Sequence, residues 1–384
     1  MYVQPAHLRL GNLRRVIAAL LAGWPCSRPE LAARTGLSAM TVGKVAEQLL
    51  ALDLLEEHRG EVSPGLGRPP RQLSPSRRLR YVAVELGVHT TVVSRLGLTG
   101  EPEPPARHAF PMPGNAKAFV RALTAARKAM APGKVDAVLV SVPGVLDRQR
   151  PAVVFSPNLH WTEGSGVLGA IGRVFGARLC AVQEVQALAL GHQAAGGAPE
   201  HFLMMELGDG VGGAVVASGR LLGGPLPLSG EIGHTPVPGN HRPCGCGAIG
   251  CLETLAGAAG LLASHRRSVR NGKAGWQDLA EFVHARGLPG WLLDTLDAVA
   301  MVAAGALNLL GLREVVVTGA LAELHPEVCA ELRERLMAHC LLGRFGRVEC
   351  RVAPARRRLG LLASAIDRLL VPEPLPAITS SASR

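Results

Sequence analysis

Residues 229–253, SGEIGHTPVPGNHRPCGCGAIGCLE, decide how the rest of the chain is read. They set Cys244, Cys246 and Cys251 in a C-x-C-x4-C pattern, and His234 stands ten residues before the first cysteine. Three thiolates and one imidazole are the donor set of a closed Cys3His zinc site, because structural zinc takes four tetrahedral nitrogen or sulfur ligands. The interspersed glycines let the backbone turn tightly enough to bring such closely spaced thiolates together. One structural zinc per chain is therefore predicted on His234, Cys244, Cys246 and Cys251. His241 is a competing histidine, but it lies only three residues from Cys244 and ranks below His234. The opening MYVQPAHLRLGNLRR lacks the apolar core of a secretory signal, so a reducing cytoplasm is expected and the eight cysteines do not read as a disulfide framework.

Around this loop the pattern alternates between strands and helices. YVAVELGVHTTVVSRLGL reads as a hairpin, AKAFVRALTAARKAM as a helix, VDAVLVSVPG as a buried strand and VLGAIGRVFG as a helix. HFLMMELGDGVGGAVVASGRLL then repeats the strand, glycine turn, strand pattern of the first hairpin. A core helix over 298–310 feeds the strand EVVVTGAL, and RRRLGLLASAIDRLL closes the unit. This alternation predicts an α/β fold of two lobes with a cleft between them. The apolar run 298–312, interrupted by Asn308 and two glycines, reads as too short and too polar to span a bilayer, and no membrane partner is expected. Residues 371–384, VPEPLPAITSSASR, read as a disordered tail.

Upstream, residues 8–57 show helical spacing in three pieces. The second is short, has Pro29 in its first turn and ends at Gly36; Ser38 is placed to cap the third. Segments 54–59 and 71–73 are able to pair as a wing around SPGLGRPP. Residues 8–74 therefore read as a winged helix-turn-helix whose third helix enters a major groove, with Ser38, Met40, Thr41 and Lys44 facing base edges. Arg68 and Arg71, in the proline-stiffened GRPPR segment, are placed to enter a minor groove or grip phosphates. Gly43, inside the third helix, costs about 1 kcal/mol relative to alanine and suggests a close approach to DNA or to the second helix.

Charge supports this placement. The chain of 384 residues carries 41 Lys+Arg against 30 Asp+Glu, a net +11, and residues 1–80 hold 12 against 6, a net +6. More than half of the surplus sits in about a fifth of the length, which marks the N-terminal segment as the polyanion contact. With 48% apolar, 18% charged and 3% aromatic residues, the remainder is globular with a small-aliphatic core, and a mainly disordered, collagen-like or coiled-coil protein is excluded. The length predicts two or three domains.

SGEIGH, CGCGAIGCLE, VSVPGVLD, FSPNLHW and LGDGVGGAVVASGRLLGG, in this order and spacing, resemble the ROK family, which unites bacterial sugar kinases with sugar-responsive repressors. The N-terminal helix-turn-helix followed by GRPPR is similar to the repressor branch, and the resemblance runs from about Leu8 to Leu370. It implies a two-lobed actin-like, ribonuclease-H-like fold behind the DNA-binding head. The expected boundaries are 1–75 for the head, 76–182 for a small lobe completed by 356–370, and 183–355 for a large lobe with the zinc. It implies that Asn158, Glu231, His234 and Glu253 face a sugar, that Gln183 and Glu184 also contact it, and that zinc binds one ring nitrogen of His234 while the other meets a hydroxyl.

The kinase parts are altered. The first phosphate loop, D-x-G-G-T-K in the kinases, stands as Glu85-Leu86-Gly87-Val88-His89-Thr90, with no cation left to balance phosphate. In the second loop Asp209 lies between Gly208 and Gly210, where a carboxylate repels phosphate. The catalytic segment reads Gln183-Glu184-Val185-Gln186-Ala187, so the base position Glu184 is one methylene longer than the family's aspartate. The adenosine-side turn, Val317–Ala320, has lost one of its usual two glycines. The resemblance thus implies no kinase activity and no catalytic residue. It points to a repressor of pseudo-palindromic double-stranded DNA, acting as a homodimer or dimer of dimers and released by a sugar or sugar phosphate. Alternatives are release by a protein partner, an ATP-dependent sugar kinase with an accessory DNA-binding head, and a constitutive DNA-binding protein with a dead pocket.

Overall fold

The computed structural model describes residues 5–59, 71–76, 80–97, 102–131, 133–147, 150–223 and 229–370. Arg68 and the tail 371–384 lie outside the described residues. Three helices open the chain: α1 (Pro5–Leu21), α2 (Arg28–Thr35) and α3 (Ala39–Ala51). Ser27 and Glu30 cap α2 reciprocally, and Gly36 ends it in the left-handed conformation at φ 65°. Ser38 Oγ accepts the Thr41 backbone N–H at 3.2 Å and starts α3. Strands β1 (Cys26–Ser27), β2 (Leu55–Arg59) and β3 (Arg71–Pro75) form an antiparallel sheet in the order β1-β3-β2.

Next come β4 (Tyr81–Leu86), β5 (Thr90–Leu96), β6 (Pro102–Pro111), α4 (Ala116–Met130), β7 (Ala137–Val142), the short pair β8 (Val145–Leu146) and β9 (Val153–Phe155), α5 (Gly166–Phe175) and β10 (Arg178–Gln183). The first sheet runs β10-β7-β4-β5-β6, with β10, β7 and β4 parallel and β4, β5 and β6 antiparallel. β6 holds Pro102, Pro104, Pro105 and Pro111 and was not anticipated; it lies at the sheet edge, where a missing N–H leaves no ladder bond unmade.

After α6 (Glu184–Ala194) the scheme repeats with β11 (Phe202–Leu207), β12 (Val211–Ala217) and β13 (Arg220–Leu221), then α7 (Glu253–Ala256), α8 (Ala258–Ser268), α9 (Trp276–Arg286), α10 (Gly290–Leu310), β14 (Glu314–Thr318), α11 (Ala320–Glu323), α12 (Glu327–His339), β15 (Glu349–Val352) and α13 (Arg357–Leu370). The second sheet runs β15-β14-β11-β12-β13, again three parallel strands followed by an antiparallel meander. The two lobes therefore share one strand order, as an internal duplication requires.

The expectation that 298–312 is too short for a bilayer is corrected, since α10 begins at Gly290 and spans 21 residues, long and apolar enough by length and composition. Its Leu292, Leu296, Val299, Ala303 and Leu307 are buried in the large-lobe core, while Asp297 pairs with His339 of α12 at 2.8 Å. α6 and α13 pack backbone to backbone, for a Cβ on Gly360 would fall 1.6 Å from the Ala187 carbonyl oxygen. α1 lies on the same pair, so Leu13, Val16 and Leu20 share a continuous core with Leu139, Leu361, Leu362 and Ile366. Each such fully buried aliphatic side chain contributes about 1.5–3 kcal/mol.

Candidate functional site

The cleft is formed where the C-terminal ends of β4 and β11 meet α6. Asn158, Gln183, Glu184, Glu231, His234 and Glu253, drawn from segments up to 95 residues apart, all line one cavity of about 290 Å³. Gln183 Nε2 donates to Glu231 Oε1 at 2.8 Å, and Gln186 Nε2 donates to Gln183 Oε1 at 3.0 Å. Glu253 accepts the Val211 backbone N–H at 3.0 Å and the Asn158 amide at 3.5 Å. Gly210 leaves room for this carboxylate, because a Cβ would lie 2.7 Å from Glu253 Oε2 and displace it. Burial pushes the Glu231 carboxyl up, against the opposing pull of His234. These amides and carboxylates offer the paired acceptors and donors that adjacent hydroxyls need.

His234 joins this cavity to a second group. Its Nε2 lies 3.8 Å from Glu231 Oε2, and its Nδ1 lies 3.5 Å from Cys244 Sγ. Cys246 and Cys251 sulfurs are 3.7 Å apart, and the ligand atoms of His234, Cys244, Cys246 and Cys251 all lie within 4.8 Å of one another. This cluster is suited to holding a metal ion. His241 is exposed and stands outside it. Arg242, not anticipated from the sequence, anchors the loop: its guanidinium donates to the Thr254 carbonyl at 2.7 Å, the Gly260 carbonyl at 3.1 Å and Ser264 Oγ at 2.8 Å.

The two glycine turns face each other across the cavity, with His89 Nε2 4.0 Å from Asp209 Oδ1. The expectation that no cation remains here is corrected, because Arg357 at the start of α13 enters the cleft. It meets Glu184 at 2.5 Å, Glu206 at 2.8 Å and Glu85 at 3.9 Å, and Arg358 meets Glu85 at 3.3 Å. Glu85 is the penultimate residue of β4 and Glu206 that of β11, so one guanidinium ties both lobes to α6. Burial and the nearby Glu206 push Glu184 up to about 8 in spite of Arg357. The sequence held a signal for this clasp in the repeated Glu-Leu-Gly at 85–87 and 206–208 and the arginine run 356–358.

On the head, Met40 is 73% exposed at the start of α3 and Lys44 is exposed one turn on. Ser38 and Thr41 hydroxyls bond each other at 2.9 Å at the helix start. Arg71 pairs with Glu57 at 2.9 Å, which occupies the guanidinium that the sequence assigned to DNA. Nothing lies within 4 Å of a Cβ built on Gly43, so packing on α2 does not demand this glycine.

These features define a two-lobed α/β protein with a polar cleft beside a Cys/His cluster. The ROK family model matches residues 81–361, and the chain belongs to the ROK family. The chain is 24% identical over 389 residues to a xylose repressor of Caldicellulosiruptor bescii, covering 94% of this chain and 97% of the relative. It is 28% identical over 247 residues to a glucokinase of Thermotoga maritima, covering 59% of this chain and 77% of that enzyme. A solved ROK family transcriptional regulator, a homologue of the Escherichia coli MLC protein, superposes with a TM-score of 0.72 at 16% identity, over 94% of this chain and 97% of that one.

Proposed function

We infer that this protein is a sugar-responsive, DNA-binding transcriptional repressor of the cytoplasm whose former kinase domain senses the effector. The observation that carries the reading is the split within one cavity: Asn158, Glu231, His234 and Glu253 are assembled on the sugar side, while Asp209 and the clasped Arg357 occupy the phosphate side. The similarity to a xylose repressor over nearly its full length supports it. In this reading residues 1–75 are a winged helix-turn-helix, with Met40 and Lys44 on the exposed face of α3 available to base edges, helped by Ser38, Thr41, Arg68 and Arg71. Residues 76–182 with 356–370 form the small lobe, and 183–355 form the large lobe.

Zinc fits the Cys/His cluster. A tetrahedral ion with Zn–S bonds of about 2.3 Å has sulfur–sulfur edges of about 3.8 Å, and Cys246 and Cys251 stand at 3.7 Å. Bound zinc would supply structure, fixing the tautomer of His234 so that Nε2 faces the cleft. Sugar binding between the lobes would change their angle and the spacing of two heads in a homodimer. Control requires that the sugar bind the DNA-competent and DNA-incompetent arrangements with different affinity.

Fluorescence anisotropy on DNA from upstream of the protein's own gene, titrated with a panel of sugars, tests the reading. Tight binding that one sugar reverses is expected. ADP release above about 1 s⁻¹ with any hexose, the low end for kinases, would overturn the sensor in favour of the kinase that the glucokinase similarity keeps in view.

A further inference from the structure

Resting on the effector-sensor reading above, we propose that the cleft selects an unphosphorylated sugar, and that Asp209 is the residue that turns phosphate esters away. The cavity of about 290 Å³ is at the small end of ligand pockets, which suits a single sugar ring. Its polar wall divides in two. Asn158, Glu231, His234 and Glu253 form the sugar side; Glu184, Glu206, Asp209 and Arg357 form the side on which the glycine turns converge.

A phosphate draws on backbone N–H groups and cations, and on this side several of both are already engaged. The turns close on themselves: Gly87 N–H donates to the Thr90 carbonyl at 3.0 Å and Gly208 N–H to the Gly210 carbonyl at 3.0 Å. Val211 N–H is taken by Glu253 at 3.0 Å. Among the described residues that line the cavity, Arg357 is the one arginine or lysine, and its terminal nitrogens are held by Glu85, Glu184 and Glu206. Its Nε has no acceptor but is sealed from solvent. Asp209, 48% exposed at its side chain, faces the cavity with His89 4.0 Å away. Even with Glu184 holding a proton, which its position near 8 allows at neutral pH, the carboxylates outnumber the cations.

One uncompensated carboxylate about 6 Å from a single phosphate charge weakens binding about 100-fold at an effective dielectric of 20. A neutral sugar, which pairs its hydroxyls with carboxylates, suffers no such loss.

Isothermal titration of the full-length, metal-loaded protein with glucose, xylose and N-acetylglucosamine, and with the phosphate ester of each, tests this. At least one free sugar should bind, and its ester should bind about 100-fold more weakly. Asp209→Thr should shrink that ratio about tenfold or more, with Asp209→Asn as the substitute if the threonine variant does not fold. An ester that binds as tightly as its free sugar, or a ratio unmoved by either variant, would overturn the proposal while leaving the sensor reading intact. If neither form of any sugar binds at millimolar concentration, both fall.

Discussion

Arg357→Met isolates the interlobe clasp. The substitution keeps the length of the side chain and removes the charge that Glu184, Glu206 and Glu85 share. Removing one partner of a buried ion pair costs about 3–5 kcal/mol, because the remaining charge is stranded. Two features place this case at the lower end. Glu85 keeps Arg358 at 3.3 Å, and Glu184, raised to about 8, already holds its proton at neutral pH and is not stranded when the arginine is gone. Glu206 is left as the stranded carboxylate, so the expected loss is about 3 kcal/mol, or about 6 °C in a protein of this size. The pH dependence has a definite sign. Glu184 and Glu206 both have pKa values raised above those of the unfolded chain. Their favourable contribution is complete below the ordinary carboxylate range and is lost as pH rises through the folded value, about 8 for Glu184. The variant should therefore approach the parent at pH 6 and fall furthest behind at pH 8.5. Thermal unfolding followed by circular dichroism at the two values measures this, with Arg357→Lys as the charge-retaining control. A loss below about 1 °C at pH 8.5, against the 6 °C expected, or a loss larger at pH 6, would show that the clasp does not hold the lobes.

Cys246→Ser should lower bound zinc from one per chain and destabilise the large lobe; elemental analysis that finds full metal retention would remove Cys246 from the ligand set. Lys44→Ala should weaken operator binding and reduce the salt slope by about 1, and an unchanged slope in anisotropy titrations would displace α3 from the DNA. Gly360→Ala drives a Cβ to 1.6 Å from the Ala187 carbonyl and should cost about 1–3 kcal/mol or more by overpacking. An unaltered melting temperature would contradict the close packing of α6 on α13.

The elements legible in the sequence are those whose burial is simple. β7, AVLVSV, is buried at all six positions and reads as an apolar run with Ser141 as its one polar residue, and α4 shows its buried face at Phe119, Leu123, Ala126 and Met130. β6 was hidden by four prolines that only an edge strand tolerates, and α10 was shortened because its first turns mix Asp294 and Asp297 with apolar residues. At the site, the residues close to the cysteine loop were recoverable because spacing itself carries ligand geometry. The clasp was not, since Arg357 and Glu206 stand 151 residues apart and Arg358 and Glu85 stand 273 apart. No local pattern encodes a pairing over that distance; only the duplication of Glu-Leu-Gly in the two lobes points toward it.

α13 limits how a ligand in the cleft is able to act on the head. Arg357 projects into the cavity, and Ile366, nine residues later on the same helix, packs with Ile17, Leu20 and Leu21 of α1. That separation is about 13 Å along a rigid helix. Gly360 locks α13 to α6, whose first residue is Glu184, so head, α6 and α13 share one packed core. A hinge between head and small lobe would have to open that core, exposing Leu13, Val16 and Leu20 at about 1.5–3 kcal/mol each. A change of angle between the lobes parts Arg357 from Glu206 and shifts α6, whose Val185, Leu188 and Ala189 pack with Phe202, Met204 and Val216 of the large lobe. If a sugar controls the head, the signal therefore passes through α6 and α13, which the small lobe, the large lobe and α1 share, and Arg357–Glu206 is one contact that it has to alter.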